Sequence, residues 1–245
     1  MSGSGSWAGR RCDRIVGGRS GQPATCADRT FSPPAPCGLA RVRSSEAKPR
    51  EGNACMARVE PLRPHQFPPR MRAALAAMVP PEPRYPMPNA EGRPKALGML
   101  GTFAHHPQLA RAFFTFNGQV LLATTLSPRQ REILVLRVAA RRACGYLWAE
   151  HAHLAKEAGL TAEEVARITS DPGAPFFNPI DTALLRAVDE IVTDGVLTDG
   201  TWSALASALD TQQMLDVIFT IGAYETVSAM LRSFGIEPDD SMDPS

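Results

Sequence analysis

The sequence predicts an all-α fold, a helical bundle of about six to eight helices, and three observations carry that prediction. From Lys95 onward apolar residues recur at three- and four-residue spacing. Helix-start signatures punctuate the same region: Ser127-Pro128-x-Gln130 and Thr161-x-x-Glu164 each pair a capping hydroxyl with a Gln or Glu three positions on. No segment alternates apolar and polar residues over a useful strand length.

Residues 1–55 are rich in Gly, Ser, Pro and Arg and show no helical or strand period, so they bury too little apolar area to offset ordering the backbone. They read as a disordered leader or as a mis-assigned start, with Met56 opening a different composition. Residues 56–94 form a proline-rich arm with room for one short helix around Arg70–Met78, otherwise extended, either wrapping a neighbour or acting as a loose linker. Residues 95–240 form the helical domain.

Within that domain Leu109, Phe113, Phe116, Val120 and Ala123 share a helical face. His105 and His106 stand before Pro107, where the reading places a helix end and a favourable contact of histidine with the helix dipole. The helix after Ser127 is apolar nearly all round from Ile133 to Ala140, apart from Arg137, and is expected at the centre. Cys144–Ala158 follows and stops at Gly159. Asp171-Pro172-Gly173 is a turn, and 181–193, 200–208 and 211–233 complete the helices, with Gly235 as the final stop. Trp202 and Tyr224 read as core.

Charge excludes some partners. The net charge is +1, with nine Arg/Lys against four Asp/Glu in residues 1–55 and the remaining 17 against 21 thereafter. Neither nucleic acid nor an anionic membrane is indicated. The stretch Met214–Leu231 is apolar but carries Asp216 and Glu225, so it is not read as a membrane span. Four of the five cysteines, Cys12, Cys26, Cys37 and Cys55, lie in the leader at spacings unlike a metal knuckle. The lone body cysteine, Cys144, suits a reducing, cytoplasmic setting.

The chemistry concentrates in residues 126–160. Cys144 and His151 are two helical turns apart on one face, with Leu147 between them. Glu132, on the preceding helix, is placed to fold back toward them. Thiol, imidazole and carboxylate together make a nucleophile with a proton relay. A buried structural cysteine and a satisfied structural histidine account for the same residues. His151 and His153 point about 200° apart on a helix, so they do not chelate together, and no metal is expected. No glycine-rich nucleotide loop accompanies a strand, so no cofactor is expected either. His153 reads as a surface or interface residue, and Tyr146 and Trp148 as packing or pocket lining.

The run Glu132–x11–Cys144–x6–His151 resembles the signature of the alkylhydroperoxidase D-like branch of the carboxymuconolactone decarboxylase family, which has a Glu, a Cys-x-x-Cys and a His four residues after the second Cys. Leu147 stands where that branch has its second Cys. The Tyr146 and Trp148 neighbours and the Ala-Gly-Leu-Thr run at 158–161 strengthen the likeness, which spans roughly residues 57–240. The resemblance implies three functional readings. The first is a thiol-dependent, peroxiredoxin-type antioxidant enzyme, with Cys144 as nucleophile, His151 and Glu132 moving protons, a hydroperoxide as substrate and an external thiol as reductant. The second is a cofactor-free lyase decarboxylating a lactone or related carboxylated small molecule, with Arg137 or Arg141 as the carboxylate clamp and His151 as the acid. The third is a non-catalytic helical oligomer. Family members are similar in forming trimers, hexamers or other homo-oligomers.

Overall fold

The computed structural model describes residues 57–88, 96–170 and 177–238. The leader and the Asp171-Pro172-Gly173 turn lie outside these. The described residues form an all-α bundle of nine helices: α1 (Pro69–Ala76), α2 (Leu97–Phe103), α3 (Pro107–Gly118), α4 (Pro128–Arg141), α5 (Gly145–Glu157), α6 (Ala162–Arg167), α7 (Pro179–Asp194), α8 (Asp199–Ala206) and α9 (Thr211–Phe234). The count exceeds six to eight because short helices in and beside the arm, α1 and α2, add to those of the body.

Local chemistry sets most helix starts. The Ser127 hydroxyl accepts from Gln130 N–H while the Gln130 side chain accepts from Ser127 N–H, and Thr161 with Glu164 repeats the exchange. A helix does end before Pro107, α2 at Phe103, but the role of His106 is a correction: it caps the next helix, its Nδ1 accepting from Leu109 N–H at 3.3 Å as α3 begins at Pro107. Proline is as much a first-turn residue as a helix stop, and here it is the former.

α4 is the central helix, as its all-round apolarity requires. Ile133 to Val138 are all buried, packed among α5, α7 and α9. α9 is long and apolar enough, by length and composition, to cross a bilayer, yet half of its most apolar window is packed inside the bundle. Its acids are engaged: Asp216 accepts from Thr125 N–H and Oγ1 at 2.6 Å each, and Glu225 pairs with Arg142. The outer face of α9 exposes Leu215, Ile218 and Phe219. Trp202, expected in the core, is 50% exposed on the short helix α8.

The arm folds back onto its own body. Met71 and Ala74 of α1 pack against Phe103, Ala104, Ala110 and Phe114. Backbone bonds fasten the rest: Arg58 N–H to Phe234 O, Leu62 N–H to Gly101 O, and Arg84 and Tyr85 N–H to Leu122 O. This second apolar partner rotates the buried face of α3. Ala110 and Phe114 are fully buried, whereas Leu109, expected inside, is exposed. A π-helical turn, Gln119–Ala123, extends α3. Its wide register leaves carbonyls for outside donors, and Leu121 and Leu122 use theirs to hold Arg131 and the arm.

α4 and α5 are joined by a turn in which Ala143 N–H bonds Ala140 O and Cys144 N–H bonds Ala139 O, the paired closure of a Schellman motif. Ala143 therefore occupies the left-handed region, φ 48°, where a Cβ is unfavourable. Ala143→Gly is expected to stabilise the fold by about 0.5–1 kcal/mol, read as a raised urea midpoint at unchanged slope.

A surface network ties α4 to α6 and α7. Arg129 Nη2 lies 2.5 Å from Glu164 Oε1 and 2.9 Å from Asp181 Oδ2. The hydrogen bond from Arg129, helped by Thr161 and opposed by partial burial, holds the Glu164 carboxyl down at about 2. A depressed carboxyl stabilises above its unfolded value and loses that contribution as pH falls through the folded one. Lowering the pH from 5 to 2.5 should therefore reduce the urea midpoint of the native protein by more than that of Arg129→Gln; equal losses would remove this pair from the acid response.

Candidate functional site

The turn between α4 and α5 sends the chain back along itself, and this brings residues 19 apart into contact. His151 Nδ1 lies 2.7 Å from Glu132 Oε2. Glu132 is wholly inaccessible to solvent, and its other oxygen accepts from Arg131 Nε at 3.0 Å. Arg131 is itself fixed, donating through Nη1 to Leu121 O at 2.7 Å and standing over the Tyr85 ring of the arm. Burial alone would push the Glu132 carboxyl up. The charges and hydrogen bonds of His151 and Arg131 outweigh that and hold it below the ordinary carboxylate range. An ionised carboxylate only accepts, so His151 Nδ1 carries a hydrogen, and it is the neutral form of the ring that presents a lone pair at Nε2. Among the described residues Nε2 has no hydrogen-bond partner. The ring also meets Tyr224 edge-on, centroids 5.0 Å apart.

His151 lines a cavity of about 340 Å³. Leu147, Glu150 and Leu154 join it from α5, Phe113 and Asn117 from α3, and Tyr224 and Val227 from α9. Met99 and Leu100 of α2 and the arm residues Met78 and Met87 complete the enclosure. It is a mainly apolar chamber with a few polar groups, the usual make-up of a small-molecule site.

Cys144 is not among the lining residues. It is the N-cap of α5, 2% exposed, and its side chain makes no capping bond. It borders a separate depression of about 190 Å³ with Gly145, Leu231, Arg232 and Ile236. Leu147 takes the place beside His151. The structure thus joins Glu132 and His151 and leaves Cys144 apart. The helical-face argument fails for the cysteine because its backbone, φ −98° and ψ 90°, is not yet helical.

The arginines named as a carboxylate clamp are committed elsewhere. Arg137 donates to both oxygens of Asp189, at 2.8 and 2.6 Å, and to the carbonyls of Ile168 and Ser170. That satisfies a charge buried in the central helix, which is a structural role. Arg141 pairs with the same Asp189 at 3.3 Å and is largely exposed. Neither borders the cavity. The Tyr146 hydroxyl accepts from Met99 N–H at 3.3 Å, joining α5 to α2, and Trp148 packs half-buried against the core. His153 is partly exposed beside Glu157. Asn117, Glu150, Tyr224 and the arm methionines gave no signal in the sequence beyond helical spacing, since only the packing of distant segments collects them.

Residues 107–190 match the sequence profile of the carboxymuconolactone decarboxylase family. No curated protein matches the sequence. Similar solved structures include the apo debrominase Bmp8, with TM-score 0.56 and 15% identity over 74% of this chain and 91% of that one. A second is the alkylhydroperoxidase AhpD core of a peroxidase-related protein from Ralstonia eutropha JMP134, with TM-score 0.54 and 18% identity over 67% and 96%. A third is a putative antioxidant defence protein AhpD from Agrobacterium tumefaciens, with TM-score 0.52 and 18% identity over 56% and 95%. At these identities the likeness shows a shared fold.

Proposed function

This chain belongs to the carboxymuconolactone decarboxylase and alkylhydroperoxidase D-like family, and from that premise we propose that it is an enzyme working by proton transfer at His151, without a thiol nucleophile. The single observation that carries the proposal is the 2.7 Å contact of His151 Nδ1 with the buried Glu132 carboxylate, which leaves Nε2 for the cavity. Glu132 holds the ring in one tautomer and stabilises the imidazolium that forms when Nε2 takes a proton. Arg131 keeps Glu132 ionised and in place. A carbon acid bound in the apolar chamber loses a proton to Nε2, and the same group returns it at another position or after a bond has broken. Lyase and isomerase reactions both fit this scheme. The debrominase on the same fold supports a scaffold that is not confined to hydroperoxides.

The peroxidase-related relatives support a second reading, in which Cys144 is oxidised by a hydroperoxide and rescued by an external thiol. Its difficulty is placement, since the thiol borders a different depression from His151. For either chemistry, the exposed stripe of Leu215, Ile218 and Phe219 on α9 suits contact between copies of the chain in a homo-oligomer.

Hydrogen–deuterium exchange separates the two. A panel of enolisable lactones and ketones is followed by NMR in D2O with the native protein, Cys144→Ser and His151→Gln. Exchange should be accelerated by the native protein, stay within about twofold in Cys144→Ser, and fall by roughly 100-fold or more in His151→Gln. No acceleration by the native protein, or equal loss in both variants, would end the proton-transfer reading. Stoichiometric sulfenic-acid trapping at Cys144, with hydroperoxide consumption lost in Cys144→Ser, would install the thiol reading instead.

A further inference from the structure

We infer that the cavity beside His151 takes a neutral, mainly apolar molecule bearing one hydroxyl or equivalent donor–acceptor head, and that the side-chain amide of Asn117 receives that head. The inference rests on the reading of this cavity as the site of reaction, but it concerns recognition and not proton transfer. Asn117 lies in the last turn of α3, 9% exposed, and borders the cavity. Its Oδ1 is buried without a hydrogen-bond partner. Its amide nitrogen likewise bonds no described residue.

A buried amide with unmade bonds is destabilising, and native folds retain few of them. Met99, Leu100, Phe113 and Leu121 line the same cavity, and a leucine of similar volume at position 117 would face it with no such cost. A polar group held against stability in an apolar chamber is the signature of a position kept for a ligand.

The chemistry of the head follows from the lining. An amide is uncharged and both donates and accepts, which matches a hydroxyl, an enol or a lactam. A charged head would lose its hydration in a chamber this apolar. The volume of about 340 Å³ is near the lower end for small-molecule sites and suits a single ring with a short apolar chain.

Three probes of one shape test this: 4-propylphenol, its methyl ether and 4-propylbenzoate, titrated calorimetrically into the full chain, Asn117→Leu and His151→Gln. The phenol should bind the native protein about tenfold more tightly than the ether, with the benzoate weakest. In Asn117→Leu the preference should shrink to within about twofold while the ether still binds. The Tm of that variant should rise by about 2–4 °C, because an unmet polar group has been removed. A purely structural asparagine would lower it. In His151→Gln the phenol preference should persist while exchange is lost, so failure of the proton-transfer reading and failure of this one are separate results. An absent preference in the native protein, a preference unchanged in Asn117→Leu, or a tightest-binding benzoate would each overturn the inference. If Asn117→Leu does not fold, Asn117→Ala takes its place in the same comparison.

Discussion

Glu132→Gln is expected to cost about 3 kcal/mol of stability and to lower turnover by roughly 10⁴-fold, more than any other isosteric change in this protein. The substitution preserves shape and removes one charge. Three things then fail together. The Arg131 guanidinium, fixed by Leu121 O at 2.7 Å, loses the carboxylate 3.0 Å from its Nε and is left as a buried charge without a counter-charge. His151 loses the acceptor that fixes its tautomer. A glutamine can turn its NH2 toward Nδ1, and the ring then carries its hydrogen on Nε2, which no longer accepts a proton. The imidazolium of the reaction also loses its counter-charge. Chemical denaturation and exchange rates check the two halves of the prediction. The pH dependence supplies a sign. The Glu132 carboxyl is pulled below its ordinary range, so its stabilisation is complete at neutral pH and disappears as pH falls through the lowered value. The native protein should lose that contribution in acid, and the glutamine variant has none to lose. Full turnover in a folded Glu132→Gln would show that His151 needs no carboxylate.

What the sequence discloses here is what short range decides. The capping boxes at Ser127 and Thr161, the stops at Gly159 and Gly235 and the central position of the Ile133–Val138 stretch depend on neighbours within a few positions, and all are present. The Glu132–His151 contact was legible because a short turn returning α5 along α4 makes it almost obligatory. The misreadings share a different cause. His106 caps a helix that its own proline starts, and residue type alone does not tell a first turn from a last one. Trp202 is large and apolar but sits on a two-turn helix with little to cover it. Cys144 shares a seven-residue spacing with His151, yet the cap residue leaves the helical register before its side chain is directed. The arm was least legible. Prolines suggested an extended tether, while its docking depends on contacts between segments far apart in sequence.

That docking suggests where a functional site can be damaged from a distance. The Glu132–His151 pair sits on α4 and α5, but part of the chamber over it is arm: Met78 and Met87 line it, and Tyr85 covers Arg131 while its hydroxyl donates to Leu126 O at 2.9 Å. On the proposed function, binding and chemistry therefore fall to different parts of the fold. A change that loosens the arm should weaken binding while leaving the His151–Glu132 pair intact, whereas a change in the pair should do the reverse.

Gly118→Ala makes that separation measurable. By helix propensity alone alanine at position 118, the last residue of α3, would be favourable by about 1 kcal/mol. Packing reverses the sign. A Cβ there would stand 2.1 Å from Met78 O and 2.8 Å from its carbonyl carbon, and these are backbone atoms that cannot swing aside. Gly101 meets the arm in the same way, 2.4 Å from Leu62 O. The arm is seated by backbone approach at two glycines, so an added methyl must lift the segment after α1. The expected loss is about 2–3 kcal/mol, at the upper end for overpacking because no side chain can yield. Amide exchange should rise in 69–88 and stay protected in α4. Ligand binding should weaken as Met78 and Met87 withdraw, with the rate of the bound complex changing much less. Gly222→Ala is the matched control: it lies on the exposed side of α9 with nothing within 4 Å of its Cβ, so propensity should win there and stability should rise by about 1 kcal/mol. Equal gains at both glycines would mean that the arm is not held by close backbone contact, and the cavity would then have to keep its shape without it.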